Sequence, residues 1–355
     1  MNIQPGLFGI DKSNRDFSKA ENWGKNQFNT SFPASLLAYM HSLRLEPVYI
    51  SLDADLRTTH GRISATELLG IEPTSEHIYH AFERDFSPYQ KFVVGNLPRV
   101  DYVTMNNNSG ECLRGLEIKL TALPDDSTHK FAEDSYGSEL VVRPDTIVYL
   151  GISIASRYEK NPAELFDSLS PACDEIEDWT NIPDVLPKIP LMLGTFDAVL
   201  SRTIERQQPL IVQPIWKTEG KAPVLSQHCL DVFVWSDYAF TRLFVDSAKT
   251  TFARGRINRA TRTLVWLVKM LYDYARSGKI NHKEIIDSQS YNMKNDKAFS
   301  LTGEKIVKYM KSPELAKPRV AKNAIRNIIL GGGHRLLSPE RRFDAVIAST
   351  PGLFD

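Results

Sequence analysis

The sequence is short of cysteine, of long apolar runs and of net charge, and each shortage excludes a class of protein. Its three cysteines, Cys112, Cys173 and Cys229, are far apart and form no CxxC pair. An odd, scattered set gives neither a disulfide framework nor a structural zinc site, and a reducing cytoplasm is the simplest reading. No run of about 18 apolar residues is present to span a bilayer. Met1 to Lys12 lacks the basic-then-apolar pattern of a secretory signal. The eight histidines include no HxH or HExxH spacing. A GxxxxGK[ST] loop and a GxSxG elbow are also absent, so neither a nucleotide cofactor nor serine-hydrolase chemistry is expected.

What is present is ordinary in amount and uneven in distribution. The 355 residues, 42% apolar and 10% aromatic, suffice for one large globular domain or two modest ones. The zero net charge conceals an asymmetry. Residues 1–248 carry 22 Lys and Arg against 34 Asp and Glu, while residues 249–342 carry 21 against 7. An acidic body with a basic C-terminal third fits a polyanionic partner for that third. A soft boundary near residue 248 follows, with a core over 1–248 and a basic, mostly helical region over 249–355.

Periodicity places the elements coarsely. Residues 17–45 read as mainly helical, with Pro33 near a helix start. Val48 to Leu52 reads as a strand, and Thr66 to Leu69 and Ser75 to Phe86 as short helices. Val100 to Met105 and Leu113 to Leu123 alternate as strands around Asn106-Asn107-Asn108-Ser109-Gly110, a turn composition tolerant of positive φ. Leu140 to Ala155, rich in Val and Ile, reads as one or two further strands with Pro144 at a bulge or edge. Residues 160–187 suggest short helices and loops, and Phe196 to Arg206 a helix. Leu210 to Trp216 and Leu230 to Trp235 are strand-like, and from Tyr238 onward the spacing is helical.

The chemistry concentrates on the strand that begins at Gly115. Leu116, Ile118, Leu120 and Ala122 share one face, and Glu117, Lys119 and Thr121 the other. A hairpin with the Asn-rich turn brings Asp101 beside Glu117 on the neighbouring strand. Two carboxylates and a backbone carbonyl, for which Ile118 is the candidate, form a hard oxygen site suited to Mg²⁺. Lys119 beside them is suited to orienting a water and stabilising developing charge. A second E-x-K, at Glu219-Gly220-Lys221, lies in a turn-like context. The Pro-Asp pairs at Pro124-Asp125 and Pro144-Asp145 follow Glu117 in the chain, so order makes Asp101 the candidate first acid. On spacing alone, an exposed Glu–Lys face without catalysis is the commoner meaning of such a pattern.

The order helix, strand, hairpin, D…E-x-K resembles the PD-(D/E)xK nucleases. Longer blocks are similar to the HindVP-type type II restriction endonucleases: Pro5 to Gly9 (PGLFG), Glu21 to Asn29 (ENWGKNQFN), Phe32 to Leu36 (FPASL), Gly115 to Asp125 (GLEIKLTALPD) and Val142 to Tyr149 (VRPDTIVY). The resemblance covers most of the chain. It implies an α/β fold with a mixed central sheet flanked by helices. It also implies a dimeric, Mg²⁺-dependent enzyme that cuts both strands of a palindromic DNA site, in that group of the GRCGYC type. Val100-Asp101 stands where the superfamily has Pro-Asp. Some members add an acid from the N-terminal helix, for which Glu21 and Glu46 are the candidates here.

Within a nuclease, the run KTTFARGRINRATR over Lys249 to Arg262 is the expected DNA contact. Arg254, Arg256, Asn258, Arg259 and Arg262 are of the types that clamp phosphates and read base edges. A second basic stretch runs from Lys317 to Arg326, and Gly331-Gly332-Gly333 is read as a helix end. The expectation is thus a restriction endonuclease acting on double-stranded DNA as a homodimer. A repair or recombination nuclease of the same fold and a non-catalytic DNA-binding protein are the alternatives.

Overall fold

The computed structural model of the protein describes residues 25–119, 121–123, 139–218, 225–252, 255–302, 309 and 317–330. In chain order the elements are α1 (Lys25–Ser42), β1 (Val48–Leu52), β2 (Thr58–Arg62), α2 (Ala65–Leu69), β3 (Ile78–Arg84), β4 (Val100–Asn106), β5 (Cys112–Ile118), β6 (Thr121–Leu123) and β7 (Glu139–Val142). There follow α3 (Pro144–Arg157), α4 (Pro162–Cys173), α5 (Ile182–Val185), α6 (Ile189–Ser201), β8 (Pro209–Thr218), β9 (Leu225–Ser236), α7 (Asp237–Phe252), α8 (Arg259–Ser277), α9 (His282–Ser288), β10 (Phe299–Thr302), β11 (Val320–Ala321) and α10 (Lys322–Leu330).

The central sheet runs β2-β1-β9-β8-β5-β4-β3, with β11 added beside β9 and β6 beside β8. It is mixed: β1 lies parallel to β9, β5 and β6 lie parallel to β8, and the remaining pairs are antiparallel. Alternation along the inner strands sends side chains to two cores. Ile211 and Ile215 of β8 and Phe233 and Trp235 of β9 enter one core with α3, α4, α6, α7 and α8. Val212 of β8, Val232 and Val234 of β9, and Leu116 and Ile118 of β5 enter the other, covered by Leu36, Leu37 and Met40 of α1 and Ile325 and Ile328 of α10. The result is helix, sheet, helix in three layers. No helix of the described residues is long and apolar enough to cross a membrane.

Three expectations from the sequence are corrected. Residues 144–157 form a helix, not a strand. Pro144 sits in its first turn, where its fixed φ and missing N–H are tolerated, rather than at a bulge. Every residue from Thr146 to Ala155 is buried, and a helix that is apolar all round shows no 3.6-residue stripe to distinguish it from a buried strand. Residues 78–84 form β3, not a helix. Six of its residues pair with β4, so the sheet edge decides the conformation against a weak local pattern. Pro33 lies inside α1 rather than near its start.

The hairpin between β4 and β5 is as expected. Asn106 Oδ1 accepts the N–H groups of Asn108 at 2.9 Å and Ser109 at 3.2 Å. Gly110 takes φ +69°, which favours glycine. Residue 248 lies within α7, and Ala248 is fully buried in the same core as β1, α3 and α8.

Candidate active site

The site forms where β5 changes neighbours. Residues 112–116 pair antiparallel with β4, whereas Glu117 and Ile118 pair parallel with Ile211 and Val212 of β8. After a break at Lys119, β6 continues beside β8 in the same register. The β4–β5 ladder ends at Tyr102 opposite Leu116, and extending it by one residue sets Asp101 opposite Glu117, on the same face. In place of a further ladder bond, Asp101 Oδ2 accepts the Ile118 N–H at 2.8 Å. The Lys119 N–H bonds instead to Val212 at 3.0 Å on the β8 side. A residue in an extended strand directs its C=O to the same side as its N–H, so the Ile118 carbonyl faces β4 and Asp101.

Glu117 projects under the first turn of α3. Its Oε1 accepts Lys119 Nζ at 2.6 Å and Thr146 Oγ1 at 3.0 Å. The Glu117 and Lys119 side chains are only 11% and 15% exposed, so the pair is poorly screened by water. Burial, reinforced by the charge on Glu117, pushes the Asp101 carboxyl up to about 8, against the opposing pull of Lys119 and the Ile118 N–H. Asp145, in the first turn of α3, is likewise raised by burial and then by Glu117, with Arg143 and Lys119 opposing. The site is therefore short of positive charge.

That shortage is what a divalent cation would relieve. Oδ1 of Asp101 and Oε2 of Glu117 have no donor among the described residues, and both are hard oxygens. No group of three or more His, Cys, Asp or Glu among the described residues is placed to hold a metal ion. A divalent ion held by so few protein oxygens would keep several of its waters.

The raised Asp101 carboxyl has a consequence for stability. Its folded value lies above the unfolded one, so the folded protein holds a proton that the unfolded chain releases. The stabilisation is present below about pH 4 and is lost as pH rises to about 8. In EDTA, the melting temperature of Asp101→Asn is expected to fall less than that of the wild type between pH 5 and pH 8. Parallel curves would show that Asp101 is ionised throughout.

Two neighbouring residues carried little signal in the sequence. Asp145 belongs to a Pro-Asp pair set aside on chain order, but α3 crosses back over the sheet and returns it to Glu117. Glu83 of β3 falls opposite Asp101, between the Phe82–Tyr102 and Arg84–Val100 pairs, and its charge also raises Asp101. Of the candidate N-terminal acids, Glu46 is exposed and precedes β1, which β9 and β8 separate from β5. Glu21, Glu219 and Lys221, the pair Pro124-Asp125, and Gly331 to Gly333 lie outside the described residues.

The basic run around α8 divides. Arg254 is outside the described residues, Arg256 is exposed and Arg259 is half-buried. Asn258 is the N-cap of α8, its Oδ1 accepting Thr261 N–H at 3.1 Å. The expected DNA contact by Arg262 is corrected. Arg262 is fully buried, stacks 4.4 Å from the centre of the Trp266 ring, and donates to the carbonyls of Lys294 at 2.9 Å and Lys297 at 2.5 Å. Helical spacing placed Arg259 and Arg262 on one face, but that face turns into the core within one turn. Arg262→Ala is expected to cost about 3 kcal/mol of stability, since it strands buried carbonyls and removes a stacked guanidinium. Urea denaturation measures this, and a loss below about 1 kcal/mol would count against it. In the second basic stretch Arg319 is also engaged, pairing with the buried Asp231 at 2.6 Å and 2.8 Å.

Comparison with known proteins identifies the family of the chain. The sequence model of the HindVP restriction endonuclease family matches residues 23–354. The chain is 45% identical over 352 residues to the type II restriction enzyme HgiDI of Herpetosiphon aurantiacus, covering 99% of this chain and 98% of the relative. It is 42% identical over 355 residues to the probable type II restriction enzyme HindVP of Haemophilus influenzae, covering 100% of this chain and 96% of that one. No solved structure matches it.

Proposed function

Because the chain belongs to the HindVP restriction endonuclease family, we propose that it is a type II restriction endonuclease that cuts both strands of a short palindromic DNA site. Asp101, Glu117 and Lys119 are its catalytic residues in this reading. The observation that carries it is the pair of opposed carboxylates where β5 leaves β4, with Lys119 Nζ 2.6 Å from Glu117. Asp101, Glu117 and the Ile118 carbonyl would hold Mg²⁺. What such an ion supplies is charge neutralisation on the scissile phosphate and a lowered pKa for an attacking water.

The residues do the rest. Asp101 and Glu117, fixed on paired strands, set the line along which the phosphate is attacked. The Lys119 ammonium donates to the attacking water and to phosphate oxygens as negative charge builds on them. Arg256 and Arg259, with Arg254, are the candidate phosphate and base contacts. A palindromic target fits a two-fold homodimer, each copy presenting one site to one strand. The family resemblance favours a GRCGYC-type target.

The test is digestion of a fully sequenced phage DNA with Mg²⁺, followed by mapping of the ends. Double-strand ends at every copy of one palindrome are expected, with EDTA abolishing them. Intact DNA across several divalent metals would overturn the reading in favour of a binding protein, and ends scattered over unrelated sequences would favour a repair nuclease.

A further inference from the structure

We propose that α3 is the positioning element of the active site, acting through the hydroxyls of Thr146 and Tyr149. The inference rests on the reading of Glu117 and Asp101 as catalytic and adds to it which residues hold them in place.

Thr146 and Tyr149 lie one turn apart on α3 and are 2% and 3% exposed, yet each spends its hydroxyl outside its own helix. Thr146 Oγ1 donates to Glu117 Oε1 at 3.0 Å. A first-turn threonine ordinarily satisfies itself on local backbone, so this bond across layers is informative. Lys119 Nζ donates to the same oxygen. Two donors from different directions fix the rotation of the carboxylate and occupy Oε1, which leaves Oε2 as the oxygen without a donor among the described residues. Thr146 also shares the negative charge of Oε1 with Lys119. The ammonium is then less tightly committed to Glu117 and remains available to water.

Tyr149 ties the other carboxylate. Its hydroxyl donates to the Pro98 carbonyl at 2.7 Å and accepts the Phe86 N–H at 2.9 Å. Pro98 lies three residues before Asp101, and Phe86 two residues beyond β3. One phenol therefore clamps the exit of β3 to the start of β4, just where Asp101 leaves the β5 ladder. Both carboxylates are thereby referred to one rigid helix. Its first turn, whose free N–H groups favour negative charge, carries the Thr146 hydroxyl that reaches Glu117.

The test uses Thr146→Val, which keeps shape and removes the donor, Thr146→Ser, which restores the donor, and Tyr149→Phe, all in the full chain. Thr146→Val is expected to lower kcat about 10- to 100-fold, the scale of a displaced catalytic group, with KM for DNA within about twofold. It is also expected to shrink the rise in melting temperature that Mg²⁺ produces without DNA, a direct readout of ion binding. Thr146→Ser should recover both, and Tyr149→Phe should lower kcat and the Mg²⁺ effect together.

Wild-type kcat in Thr146→Val alongside an inactive Glu117→Ala would overturn the positioning role and leave the site intact. Activity in Glu117→Ala would instead overturn the site on which the role depends. If Thr146→Val melts early, Thr146→Ser decides: recovery supports the donor, and an equal loss assigns the effect to packing.

Discussion

Glu117→Ala is expected to lower DNA cleavage by at least about a thousandfold while leaving DNA binding within a few fold. Losing a carboxylate that fixes a catalytic ion removes several kcal/mol of transition-state stabilisation, and each 1.36 kcal/mol is a factor of ten. The substitution also removes the acceptor of Lys119 and Thr146 together, so the ammonium loses its anchor. Lys119→Ala leaves both carboxylates in place and should cost about 10²- to 10⁴-fold, the range of a positioned proton donor or acceptor. Binding should survive, because the phosphate contacts assigned to Arg256 and Arg259 are elsewhere. Single-turnover cleavage and gel-shift titration of an oligonucleotide separate the two quantities. Full Mg²⁺-dependent cleavage by either variant would remove Glu117 and Lys119 from the mechanism. Glu117→Gln adds a control, because it keeps the volume and removes the charge that helps to raise Asp101.

The second large effect concerns stability. Asp237→Ala is expected to cost about 3–5 kcal/mol, the usual result of leaving one member of a buried ion pair alone. Asp237 opens α7, is fully buried, and pairs with Arg157, whose side chain is 5% exposed. It also accepts Ser153 Oγ at 2.7 Å and the N–H groups of Gln208 at 3.1 Å and Tyr238 at 2.8 Å. Arg157 lies 4.3 Å over the Tyr238 ring. One carboxylate therefore joins the end of α3, the start of β8 and the start of α7. Asp237→Asn keeps part of the hydrogen bonding and should cost less. Urea denaturation is the measurement, and a loss below 1 kcal/mol for Asp237→Ala would mean that Arg157 finds water or another partner. Because α3 carries Thr146 at its other end, Asp237→Ala should also lower kcat at temperatures where it remains folded.

The parts of this protein legible in the sequence are those set by neighbouring residues. The hairpin from β4 to β5 declares itself through alternation and an Asn-rich turn ending in Gly110. Glu117 and Lys119 share a face because side chains in a strand alternate. The hairpin brings Asp101 near Glu117, but a one-residue register shift between Thr104 and Met105, not the turn itself, sets the two directly opposite. The long blocks around these residues carry the family.

Contacts between distant segments were decided only by the tertiary structure. Periodicity fails for α3 because a helix buried on all sides has no polar face, and for β3 because pairing with β4 overrides a weak local preference. Arg262 belongs to the core because α8 packs inward there, which spacing along one helix does not reveal. Asp145 and Thr146 reach Glu117 only because α3 returns across the sheet, with 27 residues of chain between Glu117 and Asp145. The sequence determined which groups could do the chemistry, since that depends on their type and local spacing. Folding decided which of them share one low-dielectric site and which are consumed holding it together, because burial and partners depend on the whole chain.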